Sequence, residues 1–74
     1  MIYTQRIKNI REDRDLLQKD VAKVLGLDRS YYGKYERGLI PMPINHLMKL
    51  CEFYDVSPEY FLGYTDEVKP LPKK

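Results

Sequence analysis

Residues 29–38 read RSYYGKYERG, placing Arg29, Lys34 and Arg37 beside Ser30 and three tyrosines, with Gly33 in the middle. Arginine and lysine only donate hydrogen bonds, and the hydroxyls donate and accept. The segment therefore suits a partner with negative charge or exposed acceptors. Little else in the chain is chemically reactive. Cys51 is the single cysteine and His46 the single histidine. No disulfide can form within the chain, and a Cys/His metal site would lack ligands. A nucleophile, a base and an orienting group cannot be assembled from one His and one Cys, so catalysis, metals and cofactors are not expected. Cys51 reads as a core thiol and His46 as a surface imidazole.

The 74 residues carry 13 Lys/Arg and 11 Asp/Glu, a net charge of +2. Residues 1–38 hold nine Lys/Arg against six Asp/Glu, a balance of +3, and residues 39–74 hold four against five, or −1. The basic excess thus travels with the opening motif. A chain of this length buries only about 60% of its unfolded surface, so one small, efficiently packed core is expected. The N-terminus lacks the apolar run of a signal peptide. The uncharged stretch Gly38–Met48 contains two prolines and is too short to span a bilayer. These features and the lone cysteine point to the cytoplasm.

The elements that must position the motif follow from apolar spacing of three and four residues, with no sustained strand alternation. Five helices are expected. The first runs from about Thr4 to Arg14 with Ile7 and Ile10 inward. The second runs from Gln18 to Leu25 and is stopped by Gly26, which can take the left-handed conformation. Asp28 caps the third, which continues to about Arg37 with Tyr32 and Tyr35 inward. Pro43 fits the first turn of a fourth helix to about Tyr54, with Ile44, Leu47, Met48, Leu50, Cys51 and Phe53 or Tyr54 on its apolar stripe. Ser57 and Pro58 open a short fifth ending near Gly63, in which Tyr60 faces outward while Phe61 and Leu62 point in. The folded domain is expected over residues 1–65. The tail 66–74, DEVKPLPKK, is too poor in apolar residues to pack and is expected to be disordered.

A turn of about three residues centred on Gly26 joins the second and third helices, the layout of a helix-turn-helix. So close a crossing needs a small side chain, which Ala22 supplies. The stretch QKDVAKVLGLDRSYYGKYERG, followed by PINHLMKLCEFYDVSPEYFLGYTD, resembles the Cro and phage-repressor type of helix-turn-helix regulators, the XRE family, over roughly residues 5–65. The resemblance implies an all-α, five-helix, lambda-repressor-like DNA-binding domain acting as a small regulator, usually a repressor. Leu17 departs from the family's pattern, which usually has Ser, Thr or Asn before the glutamine. No second domain for ligand sensing is expected in this chain, so any effector would act on this domain or on its dimer interface.

Within that resemblance the third helix enters the major groove of double-stranded DNA, with Arg29, Ser30 and Lys34 as base readers. The alternative is an ordinary solvated face. Gln18, Tyr31 and Arg37 are phosphate contacts, Gln18 from the N-terminus of the second helix, where an anion is favoured. For Tyr31 a partly buried aromatic is an equal reading, and Gly33 either lets the backbone approach DNA or tolerates tight packing. The resemblance also implies an ion pair between Arg11 and Glu36, against a local helical pair of Arg11 with Asp15. Pro58 and Tyr60 are expected at a homodimer interface, against a lone surface tyrosine. The rival overall reading is an antitoxin-like module that binds a protein partner; its groove would show apolar anchors where this helix carries cations.

Overall fold

In a computed structural model, which describes residues 2–72, five helices follow one another without a strand among the described residues. They are α1 (Ile2–Asp13), α2 (Gln18–Leu25), α3 (Arg29–Glu36), α4 (Ile44–Tyr54) and α5 (Pro58–Leu62). Met1, at the head of the expected domain, and Lys73 and Lys74, at the end of the expected tail, lie outside the described residues. α1 starts two residues earlier than its apolar spacing indicates, and its first residue, Ile2, reaches the end of α5. Its side chain comes within 3.2 Å of the position a Cβ would take on Gly63.

Local chemistry sets the helix ends. Leu17 cannot cap α2 through its side chain, and the Asp20 carboxylate compensates by accepting the Leu17 N–H at 2.9 Å. Asp28 caps α3 by accepting the Tyr31 N–H at 2.7 Å. Gly26 closes α2 at φ 71°, its N–H directed to the Ala22 and Lys23 carbonyls. No atom lies within 4 Å of where a Cβ would sit on Gly26. Backbone conformation, not space, is what demands glycine there.

The core gathers side chains from every helix: Ile7 and Ile10 from α1, Val21, Ala22 and Leu25 from α2, Tyr32 and Tyr35 from α3, Leu47, Leu50, Cys51 and Tyr54 from α4, and Phe61 from α5. Ala22 is fully enclosed, in keeping with the close approach of α2 and α3. Burial pushes the Cys51 thiol up to about 11, so it stays protonated at neutral pH and packs as a small apolar group. His46 is not a free surface imidazole. It is partly buried, with Nδ1 2.9 Å from the Tyr35 hydroxyl across the α3–α4 contact.

The α4 stripe is narrower than its composition indicates: Leu47, Leu50, Cys51 and Tyr54 are buried, whereas Ile44, Met48 and Phe53 are exposed. α5 reverses one expectation. Tyr60 packs against the core with the Arg6 guanidinium 4.5 Å above its ring, while Leu62 is the exposed residue. In a helix of five residues, contact with α1 rather than periodicity decides which side is inside. Arg6 also donates to the carbonyls of Tyr60 and Thr65 and to the Asp66 carboxylate. Residues 66–72 run back along the domain. The Ser57 N–H donates to the Lys69 carbonyl at 2.7 Å, the Leu71 N–H donates to Asp55 Oδ1 at 3.2 Å, and Leu71 rests on the core.

Gly26→Ala tests the turn. Forcing a Cβ into the left-handed region costs about 1–2 kcal/mol, so the free energy of unfolding from a denaturant titration should fall by that amount, with a lower midpoint and no change in helical content.

Candidate nucleic-acid interface

α3 lies across α2 with Tyr32, Tyr35 and Glu36 inward, which turns Arg29, Ser30, Lys34 and Arg37 to solvent. Gln18, at the first position of α2, leans over the middle of α3. Its Oε1 would lie 3.4 Å from a Cβ on Gly33, an ordinary contact. Gln18, Arg29, Ser30, Gly33 and Arg37 together line a concavity of about 270 Å³. Three candidate base or phosphate contacts from α3 thus converge with the N-terminus of α2, whose first N–H groups have no acceptor within the helix. Lys34 and Tyr31 stand outside that lining. The Lys34 ammonium is 6.0 Å from the Tyr31 ring centre, and the Tyr31 ring meets Tyr35 edge-on at 5.7 Å. Half-exposed Tyr31 therefore has a packed ring beside α3's cationic face. Gly33 is buried under Gln18.

Glu36 anchors this arrangement from behind. Its Oε2 accepts from Arg11 Nε at 2.8 Å and from the Tyr32 hydroxyl at 2.5 Å. Its Oε1 accepts from Arg11 Nη2 and from Gln18 Nε2, both at 3.1 Å. The side chains of Arg11 and Glu36 are only 11% and 2% exposed, so the pair is shielded from water and screening salt. Arg11 also donates to the Leu16 carbonyl at 2.9 Å, closing the α1–α2 turn. Asp15, the local alternative partner for Arg11, sits in that turn at φ 56°.

Burial works against the Glu36 charge, but the hydrogen bonds from Arg11, Tyr32 and Gln18 outweigh it and hold its carboxyl below the ordinary value. The Tyr32 phenol moves upward, first through burial and then through its bond to Glu36. The Arg11 guanidinium is raised chiefly by its bond to Glu36. Two members of this network escaped sequence reasoning. Tyr32 was readable only as a core aromatic, and Gln18 only as an outward contact. The polar tip on an otherwise inward residue was the one available signal.

Residues 7–61 match the family described as Helix-turn-helix. The chain belongs to the XRE-type helix-turn-helix family. It is 36% identical over 69 residues to the uncharacterized HTH-type transcriptional regulator YobD of Bacillus subtilis, covering 93% of this chain and 62% of that protein. It is 33% identical over 55 residues to the cryptic phage CTXphi transcriptional repressor RstR of Vibrio cholerae, covering 74% of this chain and 50% of RstR. Antitoxin PezA of Streptococcus pneumoniae is 25% identical over 67 residues, covering 90% of this chain and 42% of PezA. The chain thus spans less than two thirds of each of these relatives. No solved structure matches significantly.

Removing either Arg11 or Glu36 leaves the other charge buried without its partner, which costs about 3–5 kcal/mol. The double variant should recover part of that loss, and additive losses in urea unfolding would show no coupling. The pH dependence has a definite sign. A carboxyl whose folded pKa is depressed contributes stability above the unfolded value, about 4.3, and loses it as pH falls through the folded value. Glu36→Gln should remove that component, leaving a shallower acid limb in a stability–pH series.

Proposed function

We propose that the chain is a sequence-specific, double-stranded-DNA-binding regulator, most simply a repressor, that acts in the cytoplasm without catalysis. The observation that carries this reading is the cation-lined concavity. Arg29, Ser30 and Arg37 converge with the α2 N-terminus on one face, and the Glu36 network holds that face rigidly outward. α3 enters the major groove, where Arg29, Ser30 and Lys34 meet base edges. Arg37, Tyr31 and the α2 N-terminus at Gln18 meet phosphates and fix the register. One N–H of the Gln18 amide is donated to Glu36, which leaves its second amide N–H and the backbone N–H for a phosphate. Transcriptional regulators and a repressor among the relatives support the same reading. A homodimer would read two half-sites about one helical turn, roughly 34 Å, apart.

The identity to antitoxin PezA keeps a protein-binding module as the second reading. The solvent-facing side of α3 weighs against it, because Arg29, Lys34 and Arg37 stand where a protein-binding helix would carry apolar anchors.

Selection of bound sequences from random duplexes supplies the operator. Affinities for that site, its single-base variants and random duplex, each across a salt series, then separate the contacts. Arg29→Ala and Lys34→Ala should flatten preference at particular positions by about 1–3 kcal/mol. Arg37→Ala should weaken all duplexes alike and lower the salt slope by about 1. Equal losses on every sequence for Arg29→Ala and Lys34→Ala would reduce α3 to backbone holding. A parent without duplex binding in low salt would pass the assignment to the protein-binding reading.

Gly33→Ala distinguishes close approach from packing tolerance. The new methyl fits beside Gln18, and the helix gains about 1 kcal/mol over glycine. If α3's backbone approaches DNA at Gly33, the variant gains thermal stability yet binds the selected site more weakly. Unchanged affinity assigns Gly33 to packing alone.

A further inference from the structure

Tyr32 carries more than its place in the core requires. Its ring is fully enclosed and meets Tyr35 edge-on, with 6.3 Å between centres, a role that phenylalanine would fill equally well. The hydroxyl is the additional group, and it donates to Glu36 Oε2 at 2.5 Å. Tyr32 and Glu36 stand four residues apart on α3 and so share one face of the helix. Burial and the bond to Glu36 both push the phenol's pKa up, so it stays protonated and remains a donor across the neutral range.

An ionised carboxylate offers about four lone-pair sites, two on each oxygen. At Glu36 four donors match them. Arg11 takes one site on each oxygen through Nε and Nη2, the Tyr32 hydroxyl takes the second on Oε2, and Gln18 Nε2 takes the second on Oε1. Arg11 reaches in from α1 and Gln18 from α2, whereas Tyr32 is the donor rooted on α3 itself. Its bond therefore fixes the carboxylate relative to the helix that carries Arg29, Ser30 and Arg37. Gln18 stands on the other side of the same group. Its amide holds Glu36 at 3.1 Å, its Oε1 lies over Gly33, and it lines the concavity together with Arg29, Ser30 and Arg37.

We infer that Tyr32 is a positioning residue for duplex binding, its hydroxyl acting through the Glu36 carboxylate to hold the Gln18 side chain at the DNA-facing concavity. The inference rests on the proposed phosphate contact at Gln18. With the hydroxyl removed, one site on Oε2 opens in a side chain that is only 2% exposed, and an unfilled site on a buried charge is costly. Arg11 is pinned by its further bond to the Leu16 carbonyl, so the adjustment falls on Gln18, whose amide has a second N–H to offer. Gln18 then shifts from its place over Gly33, and the concavity loses the side chain that α2 contributes. The ring of residue 32 keeps its packing throughout, which separates positioning from core filling.

Tyr32→Phe keeps the ring and removes only the hydroxyl; far-UV circular dichroism and thermal unfolding check that it is folded at the temperature of measurement. In the free protein, NMR of the Gln18 side-chain amide reads its bond to Glu36 without DNA. Those N–H resonances should shift in Tyr32→Phe and stay in place in Tyr35→Phe, which loses a hydroxyl from the same core but one that meets His46. On the selected duplex Tyr32→Phe should bind about two- to tenfold more weakly, the worth of one hydrogen bond. In a Gln18→Ala background that further loss should disappear. Unmoved Gln18 resonances overturn the inference, and so does parental affinity in folded Tyr32→Phe. An equal loss in both backgrounds overturns it too, because the hydroxyl would then act on the fold alone. If Gln18→Ala binds like the parent, the inference falls while the duplex-binding reading stands. A parent that binds no duplex removes that reading and this inference with it, an outcome distinct from the others, in which the parent binds.

Discussion

One buried carboxylate organises the molecule. Glu36 sits at the end of α3 with hydrogen bonds from three other residues, one on each of α1, α2 and α3 itself. Such a group contributes little net stability, since desolvating two charges offsets most of their attraction. What it contributes is register. Rotating α3 about its axis, or sliding it along α2, would strand an ionised group in the core, so one arrangement is strongly preferred over its neighbours. The direction in which Arg29, Ser30, Lys34 and Arg37 point is the outward consequence of that inward constraint.

The same constraint makes the polar face a composite of two helices. Gln18 belongs to the buried network through its amide nitrogen and to the outer concavity through its position over Gly33. A disturbance behind α3 therefore reaches the surface in front of it through one side chain. Gly33 lies directly beneath that glutamine, with room for a methyl group in ordinary contact with it.

The remaining surface divides by chemistry. Cations gather on α3, and exposed aliphatic groups gather where α1, α4 and α5 converge. Arg6 belongs to neither surface. It is spent on the Tyr60 ring and on acceptors at Tyr60, Thr65 and Asp66, and so fastens α1 to the chain leaving α5. That clasp removes an aromatic from the surface and directs residues 66–72 back toward the core, where Leu71 makes its contact.

Short-range physics made much of this legible in the sequence. Helix periodicity, the Asp28 and Ser57 caps and the Gly26 stop depend on residues a few positions apart. They located α2 and α3 and the turn between them, and the order of QKDVAKVLG and KYERG pointed to the family. The outward set on α3 followed from the same periodicity. Contacts between distant segments were beyond that reach. Nothing local says that Arg6 will cover Tyr60, that Leu62 will be displaced outward, that His46 will meet Tyr35, or that Leu71 will return to the core. The Arg11–Glu36 pair was visible only through family resemblance, because 25 residues separate its members. The sequence by itself determined which helices form and which face of α3 is polar. The tertiary structure alone decided how the five helices share their side chains, because that choice depends on burial, and burial exists only once the helices have packed.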